Sequence, residues 1–137
     1  MQLEIIHNPD ESQVVLYKTA RVIYAETYPS SLPAVEAIAS MIRNIMIQTK
    51  RDLVDVISDE TIFDSLNANS SRHKYIDVDI KNNRAFQMCL RVVGRMLHGN
   101  LLDTCFGATR FHHANEMPDW ARARGYIADI DGLLFYL

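Results

Sequence analysis

Apolar residues recur at helical spacing in three stretches of the chain. In the first, from about Ser12 to Thr27, Val15, Thr19, Val22, Ile23 and Glu26 fall near one face of a helix that advances about 100° per residue, with Leu16 and Ala20 at its edge. Tyr17, Lys18, Arg21 and Tyr24 lie opposite. A turn is expected before it at Asn8-Pro9-Asp10. After it, Tyr28-Pro29-Ser30-Ser31-Leu32-Pro33 interrupts the pattern, because proline lacks the N–H and clashes inside a helix. A second helix is expected from about Pro33, a residue suited to a first helical turn, to about Gln48. Its stripe is Val35, Ile38, Ala39, Ile42, Ile45 and Met46. A short amphipathic piece follows, with Leu53, Val56 and Ile57. The third long helix starts near Asn82 or Asn83 and ends near Gly99. It buries Ala85, Phe86, Cys89, Val92, Val93, Met96 and Leu97, and leaves Arg91 and Arg95 outside.

Between these helices, Asp64 to Asn83 is polar and has no clear period. It reads as a long loop, a kind of segment that is usually functional or mobile. The last third of the chain changes character. Phe106 to His112 reads as a strand, and Pro118-Asp119-Trp120-Ala121 as a single helical turn. Tyr126-Ile127-Ala128 and Leu133-Leu134-Phe135-Tyr136 flank Asp131-Gly132, a hairpin signal. The expected architecture is α+β: three principal helices packed on a small, mostly antiparallel sheet at the C-terminal end. No repeat, low-complexity tract or linker divides the chain, so residues 1–137 read as one domain.

Composition narrows the function classes. The 137 residues fit a single core, with 48% hydrophobic and 23% charged residues. A net charge of −3 with no basic run argues against a nucleic-acid surface. No stretch is apolar enough to cross a bilayer. Met1 to Asp10 lack the charged and apolar regions of a signal peptide, so the chain as given reads as cytosolic or as a mature fragment. Of the two cysteines, Cys89 sits on an apolar helix face and reads as a buried thiol. A disulfide to Cys105 stays open. No zinc-type cysteine spacing exists.

The first helix carries a carboxylate in an unusual place. Glu26 projects from the apolar stripe, whereas Glu36 shares a polar face with Ser40 and Arg43 and reads as a surface charge. Burial favours the neutral acid and raises its pKa. A carboxylic acid that holds a proton near neutral pH is what protonation of a glycosidic oxygen requires. From geometry alone, Glu26 can also be read as a last-turn residue that escapes to solvent or meets an arginine.

Several blocks resemble one family. Thr19-Ala20-Arg21-Val22-Ile23-Tyr24-Ala25-Glu26 is similar to the opening motif of the SleB-type cell wall hydrolases, in which the glutamate is catalytic. The second helix, Pro33 to Asn44, resembles the family's next helix, which usually ends in Asn-Arg; here Ile45 stands in place of the arginine. Gly99 to Asp103 and Gly107-Ala108-Thr109-Arg110-Phe111-His112 resemble a Gly-x-x-x-Asp and Gly-Ala-Thr-x-Phe-His signature, and Pro118-Asp119-Trp120-Ala121 its Pro-x-Trp element. The family's central Gln-Phe-Ser has only Phe63 as its counterpart. The resemblance spans residues 19 to 136. It implies a cell wall hydrolase catalytic domain over about 12–137, with a lysozyme-like helix beside a groove. It also implies cleavage of peptidoglycan glycan strands by Glu26, and an envelope or periplasmic location. No cell-wall-binding repeat accompanies it.

Many glycosidases use two carboxylates, and no second acid is placed like Glu26. Asp103 reads as a turn or cap residue and Asp119 as an N-cap. One acid suffices in a lytic transglycosylase, where the muramic acid's own hydroxyl is the nucleophile, so that route is favoured over hydrolysis. His112 and His113 are adjacent on a strand and point to opposite faces, which argues against a shared metal ion. One is expected to face the groove and the other solvent. The expected substrate contacts are His112, Phe111, Thr109, Trp120 and Phe63, with Trp120 equally readable as core. No metal or cofactor is expected. The alternatives are a glycan-binding module that does not cut and an intracellular protein that kept the fold. An amidase would need a zinc or a Cys–His pair.

Overall fold

The computed structural model describes residues 9–137, with side chains from residue 13 onward. Four helices and three strands follow in the order α1 (Pro9–Thr27), α2 (Leu32–Thr49), α3 (Leu53–Ile57), α4 (Arg84–Leu97), β1 (Arg110–His113), β2 (Ala128–Ile130) and β3 (Leu133–Tyr136). The fold is α+β. The sheet has the order β1-β3-β2 and is antiparallel throughout, which makes β1 an edge strand.

Helix α1 begins earlier than its apolar stripe does. Pro9 and Asp10 are already helical, so the expected turn is absent there, and Asn8 lies outside the described residues. The helix ends where Thr27 turns its hydroxyl back onto the Ile23 carbonyl at 2.7 Å and Pro29 forbids a further turn. Its last turns are buried on every side: residues 22–27 are all enclosed, and Tyr24, expected opposite the stripe, is only 4% exposed. Tyr24 packs edge-on against Phe86 of α4, so α4 covers the side that the sequence pattern assigned to water.

Helix α2 starts from Ser31, whose hydroxyl accepts from the Ala34 amide as an N-cap. Its predicted stripe is buried entirely, and Ala34, Ala37 and Met41 join it because α1, α3, α4 and the sheet surround the helix. Helix α4 is capped by the Asn83 side chain on the Phe86 amide and buries Phe86, Cys89, Val92, Val93 and Met96; Ala85 and Leu97 are half-buried at its border. Each such apolar side chain contributes roughly 1.5–3 kcal/mol by leaving water. Both cysteines are free thiols, and burial pushes each up to about 12, far from a neutral-pH nucleophile.

Two elements are shifted from their expected bounds. The first strand begins at Arg110, not Phe106, because Phe106 and Gly107 both take positive φ (57° and 82°) in a tight turn. Asp103 organises that turn by accepting from the Cys105 and Gly107 amides, and Asn44 of α2 reaches across to the Ala108 carbonyl. In the helical turn at 119–121, Pro118 is the cap position; Asp119 is the first turn residue and pairs with Arg122. Asp131 and Gly132 (φ 50° and 84°) join β2 to β3 as the left-handed pair of a two-residue hairpin. No helix among the described residues is long and apolar enough to cross a membrane.

Candidate functional site

The carboxyl of Glu26 lies at the C-terminal end of α1, beneath a cleft of about 400 Å³. The residue is 1% exposed. Its Oε2 accepts from the Ser65 amide at 2.8 Å, while Oε1 is buried with no hydrogen-bond partner. His113 Nε2 lies 3.7 Å from Oε1. Burial drives the acid up to about 7 from its ordinary value near 4.5. Ser65 opposes that shift. Its amide bonds the carboxylate, and its hydroxyl, although without a formed hydrogen bond, faces the group closely enough to favour the charged form. Arg72 also favours the charged form, and Asp64 disfavours it. With Oε2 holding the amide, Oε1 is the oxygen left to carry the proton.

The segment between α3 and α4 supplies most of this environment. It is polar and aperiodic, yet ordered by two 3-10 turns, Asp64–Leu66 and His73–Tyr75. Arg21 of α1 donates to the Ile76 and Val78 carbonyls at 2.9 and 3.1 Å, which ties the segment down. The His73 Nδ1 lies 2.8 Å from the Ser65 carbonyl, and Tyr28 stacks on Tyr75 with ring centroids 3.9 Å apart. From this segment Arg72 donates to the Ala25 and Glu26 carbonyls at 3.4 and 3.3 Å. Helix α1 has no basic residue in its own last turn, so Arg72 provides the cation that complements its C-terminus.

The opposite wall is the end of β1 and the hairpin turn. His113 Nε2 donates to the Glu26 carbonyl at 2.8 Å, which fixes the proton on that nitrogen. Burial lowers the His113 pKa and Arg72 lowers it further, so the ring is neutral near pH 7. Ala114, Asn115, Asp131 and Gly132 continue the rim. The Ser31 hydroxyl donates to the Asp131 carboxylate, joining the hairpin turn to the start of α2.

The expected contact residues do not all gather here. His113, not His112, lies beside Glu26. His112 faces the other side of the sheet, where its Nε2 meets the Tyr136 hydroxyl at 2.8 Å and its ring packs edge-on against Trp120. Neither histidine is solvated; both are buried. Thr109, Phe111 and Trp120 line a second cleft of about 380 Å³, together with Arg51, Thr61 and Arg110. Phe63 is fully buried and packs on Phe111, a core residue that orders the site from behind. Glu36 is half-buried and paired with Arg95 of α4. Ser65 and Arg72 are the site residues that sequence reasoning passed over, and of the two histidines, one of which was expected at the groove, it is His113 and not His112 that stands there. For His113 the signal was present in the adjacent histidines; for the other two the aperiodic segment carried none.

Among the described residues, no three His, Cys, Asp or Glu side chains converge as a metal site would require. No family model matches the chain, and no curated protein or solved structure matches it.

Proposed function

We propose that this protein cleaves the glycan strands of peptidoglycan, with Glu26 as the acid and then the base. The observation that carries the reading is one carboxyl, buried under a cleft, held near neutrality by desolvation and left with one oxygen unpaired. In the first step Oε1–H protonates the glycosidic oxygen as its bond to the sugar breaks. In the second, the Glu26 carboxylate takes a proton from the attacking hydroxyl. That hydroxyl is the primary alcohol of the muramic acid in a lytic transglycosylase, or water in a muramidase. The first is favoured because the other acids near Glu26 are each held by a hydroxyl, Asp131 on the rim by Ser31 and Asp64 by Ser70. A lysozyme-like relation of helix to groove, and the resemblance to the SleB-type hydrolases, belong to this reading. So does an envelope location.

The Glu26 side chain is sealed from solvent, so reaction requires the wall formed by Arg72 and His113 to part on substrate binding. The same sealing favours a second reading, in which Glu26 anchors the 64–76 segment through Ser65 and the cleft binds glycan without cutting it. Digestion of purified peptidoglycan followed by mass analysis separates the two. Anhydro ends are the expected result, reducing ends identify a hydrolase, and glycan binding with no released fragments supports the binding module.

A further inference from the structure

The cleft over Glu26 has a single permanent cation among its lining residues. We propose that Arg72 is a specificity-determining residue, whose guanidinium receives the free lactyl carboxylate of a stem-free muramic acid bound beside Glu26. The inference rests on the glycan-cleavage reading and names the sugar substituent that the cleft selects.

Arg72 uses one nitrogen, Nη1, on the two carbonyls at the end of α1, at the long distances of 3.3 and 3.4 Å. None of its other N–H groups meets a protein acceptor among the described residues, and no carboxylate lies within 4.0 Å of it there. The acids around it are otherwise engaged. The Asp131 carboxylate accepts from the Ser31 hydroxyl, and Asp64 accepts from the Ser70 hydroxyl. Glu26 is the near neighbour, and burial keeps it protonated up to about pH 7. A guanidinium with most of its donors unpaired at the wall of a cleft presents a planar fork suited to a carboxylate. A glycan strand freed of its stem peptides offers one such group per repeat, on the lactyl arm of each muramic acid; where the stem is attached, that carboxyl is an amide. Chitin has the same backbone without that arm.

The test uses stem-free peptidoglycan strands, whose lactyl carboxylates are free, and the same strands after those carboxylates are converted to amides. Chitin oligosaccharides provide a third substrate. Stripping the stems removes peptide carboxylates as a rival source of charge. Wild type is expected to cleave the acid strands at least about tenfold more efficiently than the amidated ones, the effect of one charge-assisted hydrogen bond. Arg72→Gln should lose that preference, mainly through KM, cleaving acid and amidated strands with equal efficiency whatever its absolute rate. Arg72→Lys should keep part of the preference. Wild type with no preference between the strands overturns the inference alone. Equal losses by Arg72→Gln on all substrates also overturn it, because they mark a purely structural role. Failure of wild type to cut intact peptidoglycan overturns the glycan-cleavage reading and this inference with it, whereas cutting intact peptidoglycan but no stem-free strand overturns the inference alone.

Discussion

Glu26 was readable from the sequence because a helix repeats itself: a charge on the stripe defined by Val15, Val22 and Ile23 has to be buried wherever that stripe is buried. Its partners were not readable in the same way. Which of His112 and His113 faces the helices depends on the pairing of β1 with β3, where Phe111 stands opposite Phe135 and His113 opposite Leu133. A shift of one residue would exchange the two histidines. Replacing Glu26 by Gln is expected to reduce glycan cleavage by about 10²–10⁴-fold, the usual contribution of a positioned acid/base, in a turbidity assay. Glu36→Gln, which removes only a partly exposed ion pair with Arg95, should leave activity within about twofold, since such pairs contribute little.

The same substitution has a thermodynamic signature. The folded acid titrates near 7 and the unfolded one near 4.5, so between those values the native state binds a proton that the unfolded state has released. Stability therefore falls as pH rises across this window, by about 3 kcal/mol in all, and the loss stays constant above it. Gln does not titrate. Melting curves of wild type and Glu26→Gln should thus diverge from pH 4.5 to 7, with wild type becoming the less stable partner. His113, whose depressed pKa acts in the opposite sense as pH falls through 6.5, is present in both proteins and largely cancels in the difference. Parallel pH profiles would mean that Glu26 ionises normally.

At the scale of elements, periodic segments were legible and their ends were not. The stripes of α2 and α4 follow the sequence, because one-dimensional spacing determines which side chains share a face. The expected strand from Phe106 failed at its first residues because the turn made by Asp103 and Asn44 overrides the local pattern of apolar residues. The hairpin is the opposite case, since Asp131-Gly132 states its own geometry. At Gly132 a Cβ would meet nothing within 4 Å, so the cost of Gly132→Ala is conformational alone. We expect a destabilisation of about 1 kcal/mol for Ala, and less for Asn, which tolerates the left-handed region better. Urea denaturation should show a lower midpoint with an unchanged slope. Equal stability of the Ala variant and wild type would mean that the turn does not hold φ 84° in solution.

At the scale of the whole molecule, the α+β arrangement brings three distant parts of the chain to one cleft: the end of α1, the 64–76 segment and the end of β1. The segment has no apolar period to hold it, so its position depends on a few polar anchors. Arg21, which the helical pattern assigned to the solvated side, is one of them, with two carbonyls from residues 76 and 78 and a contact over the Phe86 ring. Two charge-assisted hydrogen bonds lost together cost about 3 kcal/mol or more locally, enough to let the segment detach while α1 stays packed on α4. Ser65 would then leave Glu26, and with it the bond that leaves Oε1 to carry the proton. Arg21→Met keeps an unbranched apolar side chain and removes the donors together with the guanidinium's contact over the Phe86 ring. It is expected to lower kcat at least about tenfold, through loss of the Glu26 orientation, while helical circular dichroism stays near that of wild type. Amide exchange at Ser65 should speed up in the variant, because its N–H loses a carboxylate partner that is buried with it. Unchanged exchange at Ser65 together with a lost kcat would place the role of Arg21 elsewhere than in holding this segment.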